Sequence, residues 1–254
     1  MSDWSPATYL KFEDERTRPA ADLLARVSLD KAHHVVDVGC GPGNSTELLA
    51  ARYPAADILG LDNSPAMLVE ARKRLPGQRF EAADAAVWLP PPSADLVFAN
   101  ATYQWIPDHF TQLPRVLAAL RPGAVLAVQM PDNVETTTHR LMREVAQDGP
   151  WAERLRGASR APLAPPRAYY EALQPHAERL DIWHTIYNHV LPSAAAIVEF
   201  VRSTGLRPFV DPLDDAQRAD FLAAYTARIA EAYPEMGDGK VLLGFARLFI
   251  IAQR

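Results

Sequence analysis

"VVDVGCGPGNSTELLAARY" fills residues 35–53, and its order of apolar run, glycine cluster and helical pattern decides the fold. "VVDV" reads as a buried strand. Gly39, Gly41 and Gly43 then let the backbone turn sharply and approach a ligand closely. "STELLAARY" follows as a helix. Such a loop suits several ligands. The dinucleotide pattern G-x-G-x-x-G is met by Gly39 and Gly41, but Asn44 stands at the last position and Gly43 comes one residue early. The phosphate pattern G-x-x-x-x-G-K-[ST] fails, because no lysine follows.

Outward from the loop, short strands alternate with helices over about the first 130 residues, the rhythm of a parallel α/β sheet. "RPAADLLARV" reads as a helix with Pro19 at its first position. "DILGLD" is the second strand, and "NSPAMLVEARKRL" a helix with Ser64 as N-cap and Pro65 first. "QRFEAA", "ADLVFAN" and "AVLAVQM" are further strands. Between the last two lies "HFTQLPRVLAAL", capped by Asp108, with an apolar stripe of Leu113, Val116, Leu117 and Leu120. After Met130 helical and β-rich stretches interleave, ending in the strand "LLGFARLFIIAQ". The expected organisation is a cofactor-binding core over 1–130. Residues 131–254 carry the remaining strands with a helical substrate lid, all in one overall domain.

The length of 254 residues suits this plan. A net charge of −5 argues against nucleic acid or an anionic membrane as partner. A single cysteine, Cys40, forbids an internal disulfide. The opening "MSDWSPATYLKFEDER" lacks the basic start and apolar run of a signal peptide, so a cytoplasmic location is expected. The histidines form no metal site. His33 and His34 are adjacent at a strand start, and His184 and His189 face opposite ways on one strand.

Polar residues recur where the strands end. Asp62 can accept both hydroxyls of a ribose. The Asp84 carboxylate and Ala85 amide can read an adenine edge, and Asn100 closes the fourth strand. Together these mark the carboxyl edge of one parallel sheet, where open α/β folds bind ligands. The series "DVGCGPG", "LDNSPAML", "AADAAVW", "FANATYQW" and "LRPGAVLAVQMPDN" resembles the class I S-adenosylmethionine-dependent methyltransferases. The resemblance implies a Rossmann-like seven-stranded sheet whose last strand is antiparallel. It places the methionine end of the cofactor over Asp37, Gly39, Cys40, Gly41, Gly43 and Asn44. It puts ribose on Asp62 beside Asn63 and Met67, and adenine on Asp84 and Ala85. Asn100 and Arg18 complete the cofactor set.

"DWSPATYLKFEDERTRPAADLLARV", "NATYQWIPDH", "YYEAL", "STGLRP" and "RLFIIA" carry the resemblance further, to the trans-aconitate 2-methyltransferase family along nearly the whole chain. That family esterifies one carboxylate of trans-aconitate and releases S-adenosylhomocysteine. The chemistry suits the residues. A carboxylate is already ionised at pH 7, so no general base is required. Alignment falls to Trp105 and Gln104 beside the fourth strand. A tricarboxylate needs cations, and arginine forks match carboxylates bidentately. The acceptor set is Arg16, Arg143, Arg202, Arg207 and Arg247, with Tyr9, His139, Tyr169 and Tyr170, and Lys11 as a weaker candidate. Three rivals remain: another small acid or acyl-thioester carboxylate as acceptor, a nicotinamide enzyme, and a non-catalytic binding protein of the same fold.

Overall fold

The structure, a computed structural model, describes residues 12–202 and 204–254. Tyr9 and Lys11 lie outside the described residues. The elements in chain order are α1 (Glu13–Ala25), β1 (His34–Val38), α2 (Asn44–Arg52), β2 (Asp57–Asp62), α3 (Pro65–Arg74), β3 (Arg79–Ala82), β4 (Leu96–Asn100), α4 (His109–Ala119) and β5 (Val125–Pro131). Then come α5 (Thr137–Asp148), α6 (Pro166–Leu173), β6 (Arg179–Leu191), α7 (Ala194–Arg202), α8 (Arg207–Val210), α9 (Asp215–Ala232) and β7 (Val241–Gln253).

The seven strands form one sheet in the order β3-β2-β1-β4-β5-β7-β6. β1 pairs in parallel with β2 and β4, β2 with β3, and β4 with β5, while β7 runs antiparallel to β5. The expected sheet with its reversed last strand is present. The order changes direction between β1 and β4, and the carboxyl ends of those two strands are where such folds open a ligand crevice.

The chain divides into two compact units. The first comprises the described residues through Pro131, with Leu163–Thr185 and Arg247–Arg254. Its core is a layer in which Leu113, Val116 and Leu117 of α4 pack on Val97, Ala99, Leu126 and Val128 of the central strands. These are the stripe positions of the sequence pattern, now almost wholly withdrawn from water. The second unit comprises Asp132–Pro162 and Ile186–Ala246. Phe221, Tyr225 and Ile229 of α9, spaced one turn apart, are all fully buried in it. Trp151 meets Phe221 edge-on at 5.3 Å, and the Tyr225 hydroxyl donates to the Thr138 carbonyl at 3.2 Å.

One element differs from expectation. Pro19 does not open a helix; it lies inside α1, which begins six residues earlier at Glu13. The first turn holds Glu13, Asp14 and Glu15, whose charges favour the amide-rich end of a helix. Ser64 behaves as read, its hydroxyl accepting from the Met67 amide at 3.2 Å with Pro65 first in α3. Asp108 occupies the N-cap position of α4 but makes no side-chain capping bond.

The glycines of the loop after β1 answer to different constraints. Gly39 has φ +72°, and a Cβ there would sit 2.1 Å from Thr102 Oγ1 and 2.8 Å from Thr102 Cβ. Gly41 has φ +55°, with open space where its Cβ would be. Gly39→Ala is therefore expected to destabilise the fold by at least ~3 kcal/mol, and Gly41→Ala by only about 1–2 kcal/mol, the cost of the left-handed backbone. Urea unfolding of both variants checks this; equal losses would contradict the packing at Gly39.

Candidate cofactor and acceptor site

The loop from Gly39 to Gly43 has spent its backbone donors internally, Pro42 having none. The Gly39 and Cys40 amides donate to the Leu61 carbonyl at 2.7 and 2.9 Å, and the Gly43 amide to the Cys40 carbonyl at 3.0 Å. The Gly41 amide donates to Asp62 Oδ2 at 2.9 Å. A phosphate is bound by backbone N–H groups aimed outward from such a loop. Here those groups point into the protein.

What remains around the loop is acceptors. Asp37 is fully buried, and its Oδ2 accepts from Ser45 Oγ at 2.7 Å and Thr46 Oγ1 at 2.6 Å. Among the described residues its Oδ1 has no partner, nor do Asn44 Oδ1, Asn100 Oδ1 and Gln104 Oε1. A buried acceptor without a donor is costly, about 1–3 kcal/mol. Burial pushes the Asp37 carboxyl up to about 6; the Thr46 and Ser45 hydroxyls oppose the shift, and the nearby Asp62 charge adds to it. Asp62 Oδ1 accepts from the Ser64 amide at 2.8 Å. Each Asp62 oxygen thus accepts from a backbone amide, which fixes the carboxylate's orientation. Asp84 is exposed beyond β3, its Oδ1 accepting from the Ala86 amide at 2.9 Å. The site asks for a ligand rich in hydroxyl, ammonium or amine donors. S-adenosylmethionine, with its ammonium, ribose diol and adenine amine, fits that requirement.

The other cofactor candidates differ in burial and partners. Asn63 is exposed at the head of α3, and Met67 is buried behind it. Cys40 is buried and reduced; burial pushes its thiol up, with Asp37 and Asp62 adding to the effect, so it packs rather than reacts. Asn44 also ties the loop to α1: its Nδ2 donates to Glu13 Oε1 at 2.7 Å, and Arg74 reaches the same oxygen at 2.6 Å. Arg18, one turn on from Asp14, is exposed on α1.

Beyond β4, Ala101 takes φ +57°, a left-handed conformation that costs a non-glycine residue about 1–2 kcal/mol. Its amide donates to the Gln129 carbonyl at 2.9 Å, and Gln104 Nε2 donates to the Ala101 carbonyl at 2.6 Å. The strained turn aims the short helix Tyr103–Trp105 at the sheet edge, leaving Gln104 buried and Trp105 half-buried. No sequence pattern marked Ala101.

The acceptor candidates separate by unit. In the sheet-bearing unit Arg16 and Arg247 are buried, and Arg247 Nη1 donates to Gln129 Oε1 at 3.2 Å. Tyr169 is a core residue. Its hydroxyl lies 2.6 Å from His109 Nε2, and since His109 Nδ1 meets the Ile106 carbonyl at 2.9 Å, the tyrosine donates. Tyr170 is exposed. In the other unit Arg143 donates to the Val134 carbonyl at 2.5 Å and pairs with Glu135 at 3.2 Å. Arg202 pairs with Glu199 at 3.1 Å on the surface, and buried Arg207 with Asp211 at 3.4 Å. His139 is buried against Gly205, where a Cβ would lie 2.5 Å from His139 Nε2.

A methyltransferase-domain family model matches residues 35–123, the segment from β1 past α4. Solved structures share the fold at low identity. The YcgJ protein of Bacillus subtilis gives a TM-score of 0.61 at 13% identity, covering 93% of this chain and 98% of its own. A [4+2]-cyclase, SpnF, gives 0.55 at 16% identity, covering 93% of this chain and 81% of its own, so the fold by itself does not fix the chemistry. The fold is that of the class I methyltransferases. The sequence relatives narrow the class. A trans-aconitate 2-methyltransferase of Rhodopseudomonas palustris (strain BisA53) is 60% identical, with 100% of both chains covered. One from Variovorax paradoxus (strain S110) is 58% identical, covering 100% of this chain and 99% of its own. The chain belongs to the trans-aconitate 2-methyltransferase family.

His139 gives its own unit a pH signature. Burial, with the Arg160 and Arg143 charges, lowers its pKa from 6.5 to about 3. The folded state holds it neutral, while the unfolded chain protonates below about 6.5. Its contribution is complete above that pH and is lost as pH falls toward the folded value. The stability advantage of the unaltered protein over His139→Gln is expected to shrink by about 2–3 kcal/mol between pH 7 and pH 4. Parallel urea titrations of the two proteins would show a constant difference if His139 were exposed.

Proposed function

We propose that the protein transfers a methyl group from S-adenosylmethionine to one carboxylate of trans-aconitate, giving the monomethyl ester and S-adenosylhomocysteine. The single observation that carries the cofactor half is the internal use of the loop amides, beside which the buried Asp37 Oδ1 has no donor among the described residues. The acceptor half rests on the family and on the buried guanidinium of Arg247, which is paired with Pro131 at the carboxyl end of β5.

Bound S-adenosylmethionine supplies an electrophilic methyl carbon on a sulfonium. The residues supply position and environment. Asp62, already oriented by the Gly41 and Ser64 amides, accepts the ribose hydroxyls. Asp37 offers Oδ1 to the amino-acid ammonium. Asp84 and the Ala85 amide flank the adenine. The acceptor carboxylate is ionised near neutrality, so no residue has to remove a proton. A cation and an anion annihilate their charges as the bond forms, and water stabilises the separated ions more than the transition state. Buried Gln104 and half-buried Trp105 exclude water and shape the space for in-line attack.

Two outcomes test the cofactor half. Asp62→Ala is expected to weaken S-adenosylhomocysteine binding by about 1–3 kcal/mol in calorimetry, while NADH gives no heat with the unaltered protein. NADH binding with Asp62-independent affinity would sink this reading. Second, a cationic ligand at Asp37 favours its carboxylate, so binding releases a proton where the free protein still holds one. Affinity should rise with pH through about 6, with proton release visible in buffers of different ionisation enthalpy and absent in Asp37→Asn. For the acceptor half, radiolabelled methyl transfer to trans-aconitate is expected; turnover confined to other acids would refute the acceptor and leave the class standing.

A further inference from the structure

Gln129 stands in an apolar strand, is fully buried, and is only half satisfied. Its Oε1 accepts from Arg247 Nη1 at 3.2 Å. The orientation of the amide is fixed by chemistry, because a guanidinium has donors and no acceptor. Nε2 therefore points away from Arg247, and among the described residues it has no hydrogen-bond partner. An N–H₂ group in that position costs about 1–3 kcal/mol unless something accepts from it.

Register places this donor at the ligand edge of the sheet. Gln129 is paired with Asn100, the last residue of β4, and with Phe249 of β7, while Pro131 is paired with Arg247. Paired residues share a face and alternate residues return to it. Asn100, Gln129 and Arg247 therefore line one face near the carboxyl ends of β4 and β5. Leu126, Val128 and Met130 take the opposite face, into the layer covered by α4. α1, which carries buried Arg16, also packs against β5. The loop beside β1 presents orphan acceptors; Gln129 presents an orphan donor, next to guanidinium charge. The two halves of the edge select opposite ligand chemistry, a donor-rich cation at β1 and an acceptor-rich anion at β5.

We infer that the Gln129 side-chain amide, held by Arg247, is the receptor for a carboxylate of the acceptor acid and so selects anionic acceptors. This rests on the acceptor reading above. The neutral amide is the useful feature. A second arginine there would add a repulsive buried charge beside Arg247, whereas glutamine turns its carbonyl to the guanidinium and its N–H₂ to the ligand.

Gln129→Glu tests the inference, because the introduced carboxylate can still accept from Arg247 and keep the strand intact. Calorimetry on the S-adenosylhomocysteine complex would measure trans-aconitate binding to the unaltered protein and to the variant. The variant is expected to bind the acid ~10- to 100-fold more weakly, with S-adenosylhomocysteine affinity unchanged within about twofold. A monoamide of the acid, which offers an N–H₂ to the new carboxylate, is expected to regain affinity on the variant while losing it on the unaltered protein. A merely structural glutamine would give no such reciprocal rescue. Unchanged trans-aconitate affinity in Gln129→Glu overturns the inference, as does weakening of S-adenosylhomocysteine instead of the acid. Failure of the unaltered complex to bind any tricarboxylate sinks the acceptor reading itself.

Discussion

The carboxylate of Asp62 holds the site together. One oxygen accepts from the Gly41 amide and the other from the Ser64 amide, so a single side chain pins the glycine loop of β1 to the start of α3. Two consequences follow. The Gly41 amide is occupied, and the carboxylate is fixed in orientation at the end of β2. The Leu61 carbonyl, one residue earlier, takes the Gly39 and Cys40 amides in the same way. The end of β2 thus converts a loop that looks like an anion cradle into a wall of acceptors.

That conversion explains the burial of Asp37. A carboxyl sunk beneath the loop with one oxygen satisfied by two hydroxyls and the other by nothing is unstable as an anion, which is why its pKa climbs to about 6. The arrangement is poised for a positive ligand. Strain at Ala101 plays a complementary part. The left-handed residue ends β4 abruptly and delivers Gln104 and Trp105 to the sheet edge, the sort of local cost that persists where geometry matters to function.

Much of this was legible in the chain. "DILGLD" gave β2 its bounds, because an alternating apolar run ends in an acid, and Ser64-Pro65 marked the following helix by capping chemistry. The reversed last strand came from resemblance rather than from periodicity. Pro19 misled, because a proline after an arginine imitates a helix start, while the acidic turn Glu13–Glu15 was the stronger signal. Gln129 was silent. In "AVLAVQM" it is one polar letter in a buried strand, and its meaning depends on Arg247, 118 positions away. Ala101 was silent for the same reason, since strain belongs to a backbone angle that alanine does not advertise. Among the arginines, sequence supplied the list but not the division, with Arg143, Arg202 and Arg207 already engaged by neighbours in their own unit.

A crystal structure with S-adenosylhomocysteine bound tests the central claim most directly. The ribose hydroxyls are expected on the Asp62 carboxylate while the Gly41 amide keeps its bond to that same group, with the ligand's ammonium within hydrogen-bonding distance of Asp37 Oδ1. A loop that instead turns its Gly39–Gly43 amides outward onto the ligand, with Asp62 unattended, would contradict it.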